Sequence, residues 1–421
     1  WGRLNGMASL DHAMGEYQVD PTKVYVTGHS MGGHGTWHLG VMHPGRFAAL
    51  GPSAGWSTIY SYGGTDRPEG AFEAARSHSD TMEYVSNLAD RGVYMLHAEG
   101  DDNVPISEGE RMYDAASEVT DDIEFHREDS DKHWWDGDEA EGTDCVDWPE
   151  LWSFFEDRTL DPYELDFEFK SPGPYYSTEH SYVTIRSDET PYEDCVVESE
   201  ETEEGQVSVT TDNVRSMDID GDALLEKGVD EIEVDGTTHE VEEGTIEIGP
   251  REGKKPGVNG PLNQVFQRPF CFVYPKDGSP VYRRYAAYLL SQWSYLGNGH
   301  GCSLPLYEVD EEVRSERNLI YVGVDDEDIA EEAERPFAWS EDELEIGDSS
   351  YEEAAAFAVF PEDDGLSVSF MATEGDESLL YHLQPFNSRN GMPDYLVWGE
   401  GGGQAAGFFD ANWEFDESLA N

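Results

Sequence analysis

The stretch Lys23-Val24-Tyr25-Val26-Thr27-Gly28-His29-Ser30-Met31-Gly32-Gly33 constrains this chain more than any other, because a β-branched and aromatic run delivers a serine into Gly-x-Ser-x-Gly. A helix carrying Trp37, Leu39 and Met42 is expected to follow, which completes the strand, turn and helix of a nucleophile elbow. Serine on so sharp a turn sits in a strained backbone, and Gly28 and Gly32 are expected to remove the Cβ atoms that would collide there. The hydroxyl then projects from the sheet edge beside a helix N-terminus. In a chain with 43 glycines the five-residue pattern alone is weak, so the flanking elements carry the argument.

A serine hydroxyl is a poor nucleophile at neutral pH, so the elbow needs a base and an orienting acid, in the chain order Ser, Asp/Glu, His. Val93-Tyr94-Met95-Leu96 reads as a buried strand running into the polar turn His97 to Pro105, where a carboxylate could emerge at a strand's C-terminal end. Ile123-Glu124-Phe125-His126 reads as another short strand, followed by a loop through Asp129, Asp131 and His133. His133 is the expected general base, taking the proton of Ser30 and returning it to the leaving group. His126 is the alternative imidazole, while His34 and His38 on the helix read as packing or hydrogen-bonding residues. Trp56, Trp134 and Trp135 stand near these motifs, either lining a cleft or serving as ordinary core and rim aromatics.

These residues resemble the α/β-hydrolases, and within them the prolyl oligopeptidase-like serine peptidases and related esterases. The resembling blocks are Val19 to Trp56, Leu96 to Pro105, and the HWW motif at His133 followed by Cys145 to Phe155. The resemblance implies a hydrolase that attacks peptide or carboxylic ester bonds through an acyl-enzyme on Ser30, with His133 as base and the Met31 N–H as an oxyanion donor. It places the acid at Asp101, three residues before Val104, with Asp102 as runner-up. No metal or organic cofactor is implied, and the partner is a peptide or ester substrate. A carboxylic or carbohydrate esterase is the alternative chemistry, and a non-catalytic binding protein of the same fold is the alternative class. The fold normally places several strands before the elbow, whereas here the elbow follows one helical segment, Leu4 to Tyr17, and the chain opens on Trp1. The expectation is therefore the C-terminal half of an α/β-hydrolase sheet, lacking the upstream loop that supplies a second oxyanion donor.

Asp plus Glu number 91 against 25 Lys plus Arg, a formal charge of −66, and lysine accounts for only seven of the cations. Such a field repels nucleic acid and anionic membrane surfaces, so neither is an expected partner. With 38% hydrophobic and 12% aromatic residues the chain is nonetheless a folded protein. Self-repulsion of this size calls for screening, and the composition resembles that of proteins from extreme halophiles. Cys145, Cys195, Cys271 and Cys302 are too scattered for a zinc pattern and leave room for one or two bridges. The Asp218–Asp222 triplet has its glycine misplaced for a calcium loop, and Gly297–Gly301 reads as a helix stop.

Four segments are expected along this α/β chain. Residues 1–160 carry the elbow, strands and loops above, closed by an amphipathic helix from Trp148 to Phe155, and residues 161–180, with Pro162, Pro172 and Pro174, read as a linker. Residues 181–255 read as small antiparallel strands, including Tyr182–Arg186, Val207–Val209, Glu231–Val234 and Thr245–Ile248. Residues 256–421 read as a small α/β domain with strands at Phe270–Tyr274, Asn318–Val322, Ala355–Val359 and Tyr395–Trp398 and a helix from about Val281 to Leu296.

Overall fold

The computed structural model describes residues 2–63, 66–137, 142–203, 205–277, 279–329, 335–340, 342–362, 365–386 and 391–420. They divide into two compact units, the first made of 1–67, 77–185 and 194–249, the second of 68–76, 186–193 and 250–421.

The first unit begins with α1 (Gly2–Glu16), β1 (Tyr25–His29), α2 (Met31–Met42) and β2 (Ala49–Ser53). The short helix α3 (Ala71–Ser77) comes next in the chain, then β3 (Gly92–Ala98), α4 (Ile106–Ala116), β4 (Ile123–Glu128) and α5 (Pro149–Glu156). The four strands form a parallel sheet in the order β1-β2-β3-β4. A parallel sheet must be covered on both faces, and the pleat of β3 shows how this is done. Val93 and Met95 join Trp37, Val41, Leu50 and Met112 in one apolar cluster, whereas Tyr94, Leu96 and Ala98 join Leu151, Phe154 and Phe155 in the other. Alternate residues of one strand therefore bind helices on opposite sides.

Residues 161–180, expected as a linker, contain β5 (Phe167–Ser171) and β6 (Glu179–His180). Phe167 and Phe169 alternate with exposed neighbours and bury in the adjoining core, so the prolines bracket a strand that they do not interrupt. The chain continues through β7 (Val183–Asp188), whose last three residues belong to the second unit, then β8 (Cys195–Glu203), β9 (Gln206–Asp212), β10 (Val214–Asp220), α6 (Gly221–Glu226), β11 (Glu231–Val234), β12 (Thr237–Glu240) and β13 (Thr245–Ile248). Two sheets, β13-β10-β7-β6 and β12-β11-β9-β8-β5, enclose a core of Ile185, Val197, Val209, Ile219, Leu224 and Ile232. Asp220 caps α6 by accepting from the Ala223 N–H, a helix start where the acidic triplet stands.

In the second unit β14 (Phe270–Tyr274), α7 (Pro280–Leu296), β15 (Cys302–Pro305), α8 (Glu311–Glu316) and β16 (Asn318–Val322) come first. A three-stranded meander of β17 (Phe337–Trp339), β18 (Leu344–Ile346) and β19 (Ser349–Tyr351) precedes β20 (Ala354–Glu362), β21 (Gly365–Ala372), β22 (Tyr395–Gly399), β23 (Gly402–Phe409) and β24 (Phe415–Ala420). Among the described residues the main sheet has eight strands, β15-β14-β16-β21-β20-β22-β23-β24, parallel through β21 and antiparallel beyond it. Ser279 caps α7, and Gly297 ends it, as the glycine run predicts. Cys271 and Cys302 face each other across β14 and β15 in register and form a disulfide, while Cys145 and Cys195 are buried thiols. Among the described residues no helix is long and apolar enough to cross a membrane.

Even if every one of the 25 cations paired with one carboxylate, 91 − 25 = 66 acidic side chains would remain in excess. Their repulsion weakens as the screening length falls to about 3 Å at molar salt. The thermal midpoint should therefore rise by several degrees between dilute buffer and molar KCl, followed by circular dichroism. A midpoint flat across that range would contradict the dependence on screening.

Candidate active site

Ser30 lies between β1 and α2 with φ 61° and ψ −117°, a backbone conformation that a non-glycine residue seldom adopts. Two backbone hydrogen bonds hold it there: the Ser30 N–H donates to the Ser53 carbonyl at 2.8 Å, and the Ser30 carbonyl accepts from the His34 N–H at 3.1 Å. The first ties the turn to the end of β2, and the second starts the helix. A Cβ on Gly28 would stand 2.6 Å from the Gly32 carbonyl oxygen, so strand and helix can approach only because residue 28 has none. Gly32 departs from expectation, since a Cβ there would meet nothing within 4 Å. The second tight contact belongs instead to Gly33, where a Cβ would come within 2.2 Å of the Ser53 carbonyl oxygen. Met31 is the first residue of α2, where N–H groups have no intrahelical acceptor, and its side chain is exposed.

The carboxylate comes from the turn after β3. Asp101 Oδ1 accepts the N–H groups of Asn103 and Val104, both at 2.8 Å, which fixes the carboxylate in its own turn. Its Oδ2 lies 2.7 Å from Nδ1 of His133, and the Asp101 side chain is wholly buried. With that carboxylate on Nδ1, the proton belongs on Nδ1 and the Nε2 lone pair points away. His133 Nε2 is buried and has no hydrogen-bond partner among the described residues. Asp102 serves a different atom: its Oδ1 accepts the His133 backbone N–H at 3.0 Å, which holds its carboxyl below the usual range. Asp101 therefore faces the imidazole and Asp102 anchors the loop that carries it.

Other side chains take places that chain order could not indicate. His97 donates from Nε2 to the Val104 carbonyl at 2.9 Å, with the same nitrogen 3.5 Å from Asp101 Oδ2, so a second imidazole supports the carboxylate. The signal for it is its position one residue before the end of a buried strand. The ring of His29, next to Ser30, packs 4.5 Å from that of His133 and 4.2 Å from Trp134, and its Nδ1 meets Ser53 Oγ at 2.9 Å. Burial, then the neighbouring His133, pulls the pKa of His29 down to about 4. His126 is occupied elsewhere, by Glu128 at 3.1 Å and by the ring of Trp148. Trp135 is core, Trp134 is exposed beside His29, and Trp56 stacks between His34 and Tyr62. His34 holds the Trp56 carbonyl through Nδ1 at 2.9 Å, a structural task, and burial lowers its pKa.

Glu108, on the first turn of α4, carries no local sequence signal, because a charged residue there looks solvated. It is buried, and its Oε2 accepts from the Ser57 N–H, the Ser57 and Ser61 hydroxyls and Arg111. Burial would raise its pKa, but those hydrogen bonds together bring it below the ordinary value. The loop carrying Trp56 is thereby pinned to the helix after the Asp101 turn.

Residues 6–157 match the prolyl oligopeptidase family. A protein described as an uncharacterized secreted protein of Arthroderma benhamiae is 30% identical over 119 residues, which is 27% of this chain and 13% of that protein. Among solved structures, a thermostable esterase aligns at 20% identity over 37% of this chain and 36% of its own, with a TM-score of 0.27. The Pyrococcus horikoshii acylaminoacyl peptidase aligns at 18% identity over 39% of this chain and 28% of its own, with a TM-score of 0.28. The matched segment thus spans a minor part of each of these relatives.

Two stability tests follow from the turn. Gly28→Ala forces a Cβ against the backbone of α2 and should destabilise the fold by roughly 1–3 kcal/mol, whereas Gly32→Ala should leave the thermal midpoint nearly unchanged. Equal midpoints for the two variants would show that the strand–helix approach is not limiting. His29 binds its proton more weakly folded than unfolded, so its contribution is complete above about pH 6.5 and is lost as pH falls toward 4. In molar salt, wild type should therefore lose on the order of 1–2 kcal/mol more than His29→Asn between pH 7 and pH 5. Parallel pH profiles of the two proteins would refute the assignment.

Proposed function

We propose, from the premise that residues 6–157 belong to the prolyl oligopeptidase family, that this chain carries the catalytic serine, acid and histidine of a hydrolase cleaving peptide or carboxylic ester bonds. The observation that carries the reading is the 2.7 Å contact of Asp101 with His133 Nδ1, which leaves Nε2 as a buried lone pair without a partner among the described residues. Ser30 on its positive-φ turn is the proposed nucleophile. In the proposed reaction Ser30 Oγ attacks the carbonyl carbon while His133 Nε2 takes its proton, and Asp101 steadies the imidazolium that forms. The Met31 N–H, at the positive end of α2, would donate to the oxyanion. Collapse of the tetrahedral intermediate expels an amine or alcohol, which receives the proton back from His133. Water then repeats the attack on the acyl-serine with the same base.

Both substrate classes pass through such an oxyanion, so the residues support peptidase and esterase equally. Family membership of residues 6–157 favours the peptidase as the first reading. A fluorophosphonate probe should label Ser30, and labelling that persists in Ser30→Ala would overturn the nucleophile. His133→Ala should lower kcat by several orders of magnitude. Turnover within a few-fold of wild type would move the base to another imidazole. Comparison of kcat/KM on a proline-containing peptide and an aryl ester decides the substrate class.

A further inference from the structure

The second unit buries a lysine and two aspartates that the proposed hydrolysis does not use. Lys254 Nζ lies 2.7 Å from Asp394 Oδ2, and both side chains are entirely inaccessible to solvent. The backbones holding them are fixed. The Lys254 N–H donates to the Ala411 carbonyl, and Asp394 is tied to Gly407 through its N–H and to Val359 through its carbonyl. Asp394 Oδ2 also accepts the Phe409 N–H at 3.1 Å, while Oδ1 has no partner among the described residues. Gly260 closes the other side, since a Cβ there would come within 2.2 Å of Asp394 Oδ1. The Trp413 ring stands 4.7 Å from Nζ and the Tyr192 ring 5.9 Å, so aromatic faces line the ammonium.

Asp188, at the end of β7, is the third member. It is buried, and its Oδ1 has no hydrogen-bond partner among the described residues. The charges of Lys254 and Asp394 both act on it. Burial pushes the carboxyls of Asp188 and Asp394 up, toward their protonated forms. One ammonium cannot neutralise two carboxylates that solvent does not reach, so burial favours a proton on one of the two acids.

The geometry points to an intramolecular isopeptide bond between Lys254 Nζ and Asp394 Cγ, with Asp188 as the proton relay that assists its formation. Transfer of a proton from the ammonium to the Asp394 carboxylate gives the neutral amine and neutral acid that amide formation requires. Nζ then attacks Cγ. The Asp188 carboxyl donates a proton to the Asp394 oxygen that becomes hydroxyl and takes one from Nζ, and the tetrahedral carbon expels water. One N–C bond forms, one C–O bond breaks, and no oxidant or reductant enters. Confinement of amine and acid at contact distance supplies the effective concentration that makes amide formation feasible without activation.

The test is the intact mass of the reduced, denatured full chain after folding in molar salt. The expected mass is that of the sequence less one water, and a peptide map should contain a branched peptide joining the segments of Lys254 and Asp394. An unmodified mass with the two residues in separate peptides, meaning an ion pair only, overturns the proposal. Loss of water mapped to any other position, such as an Asp-Gly succinimide, overturns it too. Lys254→Arg should abolish the branched peptide, and Asp188→Asn, which keeps shape and one hydrogen-bonding oxygen, should reduce its yield at least tenfold. If Asp188→Asn folds and links fully, the relay assignment falls. Should either variant fail to fold, the wild-type mass and map still decide the bond.

Discussion

The site depends on the register of one small parallel sheet. His29 pairs with Ser53, Ser53 with Leu96, and Ala98 with Glu128, so the C-terminal ends of all four strands meet along one edge. Parallel order makes this unavoidable, because every crossover returns the chain to the same starting edge. The loops continue the ladder beyond the strands: the Glu99 N–H donates to the Glu128 carbonyl and the Gly100 N–H to the Ser130 carbonyl. Asp101 and His133 therefore emerge from adjacent, hydrogen-bonded loops, and a 2.7 Å contact between them needs no long-range adjustment. A slip of one residue between β3 and β4 would break that contact and would also turn Tyr94 and Leu96 away from the helix they pack against.

Strand-to-helix closeness is the second constraint, and it explains where small residues stand. Gly28 and Gly33 admit backbone contacts across the turn, and Gly40 lets α2 settle onto Leu50, whose Cδ2 would be 1.9 Å from a Cβ at that position. The helix is thus pressed against β1 and β2 along its length. Ser30 is held in its positive-φ state by this packing as well as by its bond to Ser53.

Much of this was legible from residue pattern, and the failures have physical causes. Glu231–Val234, Thr245–Ile248, Phe270–Tyr274 and Asn318–Val322 are strands at the expected residues, because alternation or a short apolar run bounded by turns is a local signal. Helix α4 carries its buried face on Glu108, Gly109, Met112 and Ala116, so Met112 is the one large apolar side chain that it buries fully. The glycine-rich β23 and the polar β24 gain their order from neighbours in the sheet, which no local pattern announces. At the site, chain order brings Ser30, Asp101 and His133 into view as strand-end residues. Separating Asp101 from Asp102, or Gly33 from Gly32, requires knowing which loop and which strand lie alongside, and that information is not local.

The distribution of charge carries the same logic to the whole chain. Carboxylates retained inside have specific partners. Glu164 accepts from Arg91 and His180 at 2.7 and 2.8 Å, which outweighs its burial and brings its pKa to about 2. Glu362 accepts from the Tyr321 and Ser367 hydroxyls and from Arg314. In both cases the donors outnumber the acid, and for Glu164 they keep the group ionised. The cluster of Asp188, Asp394 and Lys254 reverses that balance, with two acids to one cation and oxygens left without partners among the described residues. Glu164 is stabilised as an anion by its surplus donors, whereas burial pushes the carboxyls of Asp188 and Asp394 up, toward their neutral forms. A carboxyl and a lysine nitrogen held at 2.7 Å with no solvent access are the two partners of an amide, and this separates the cluster chemically from the other buried carboxylates.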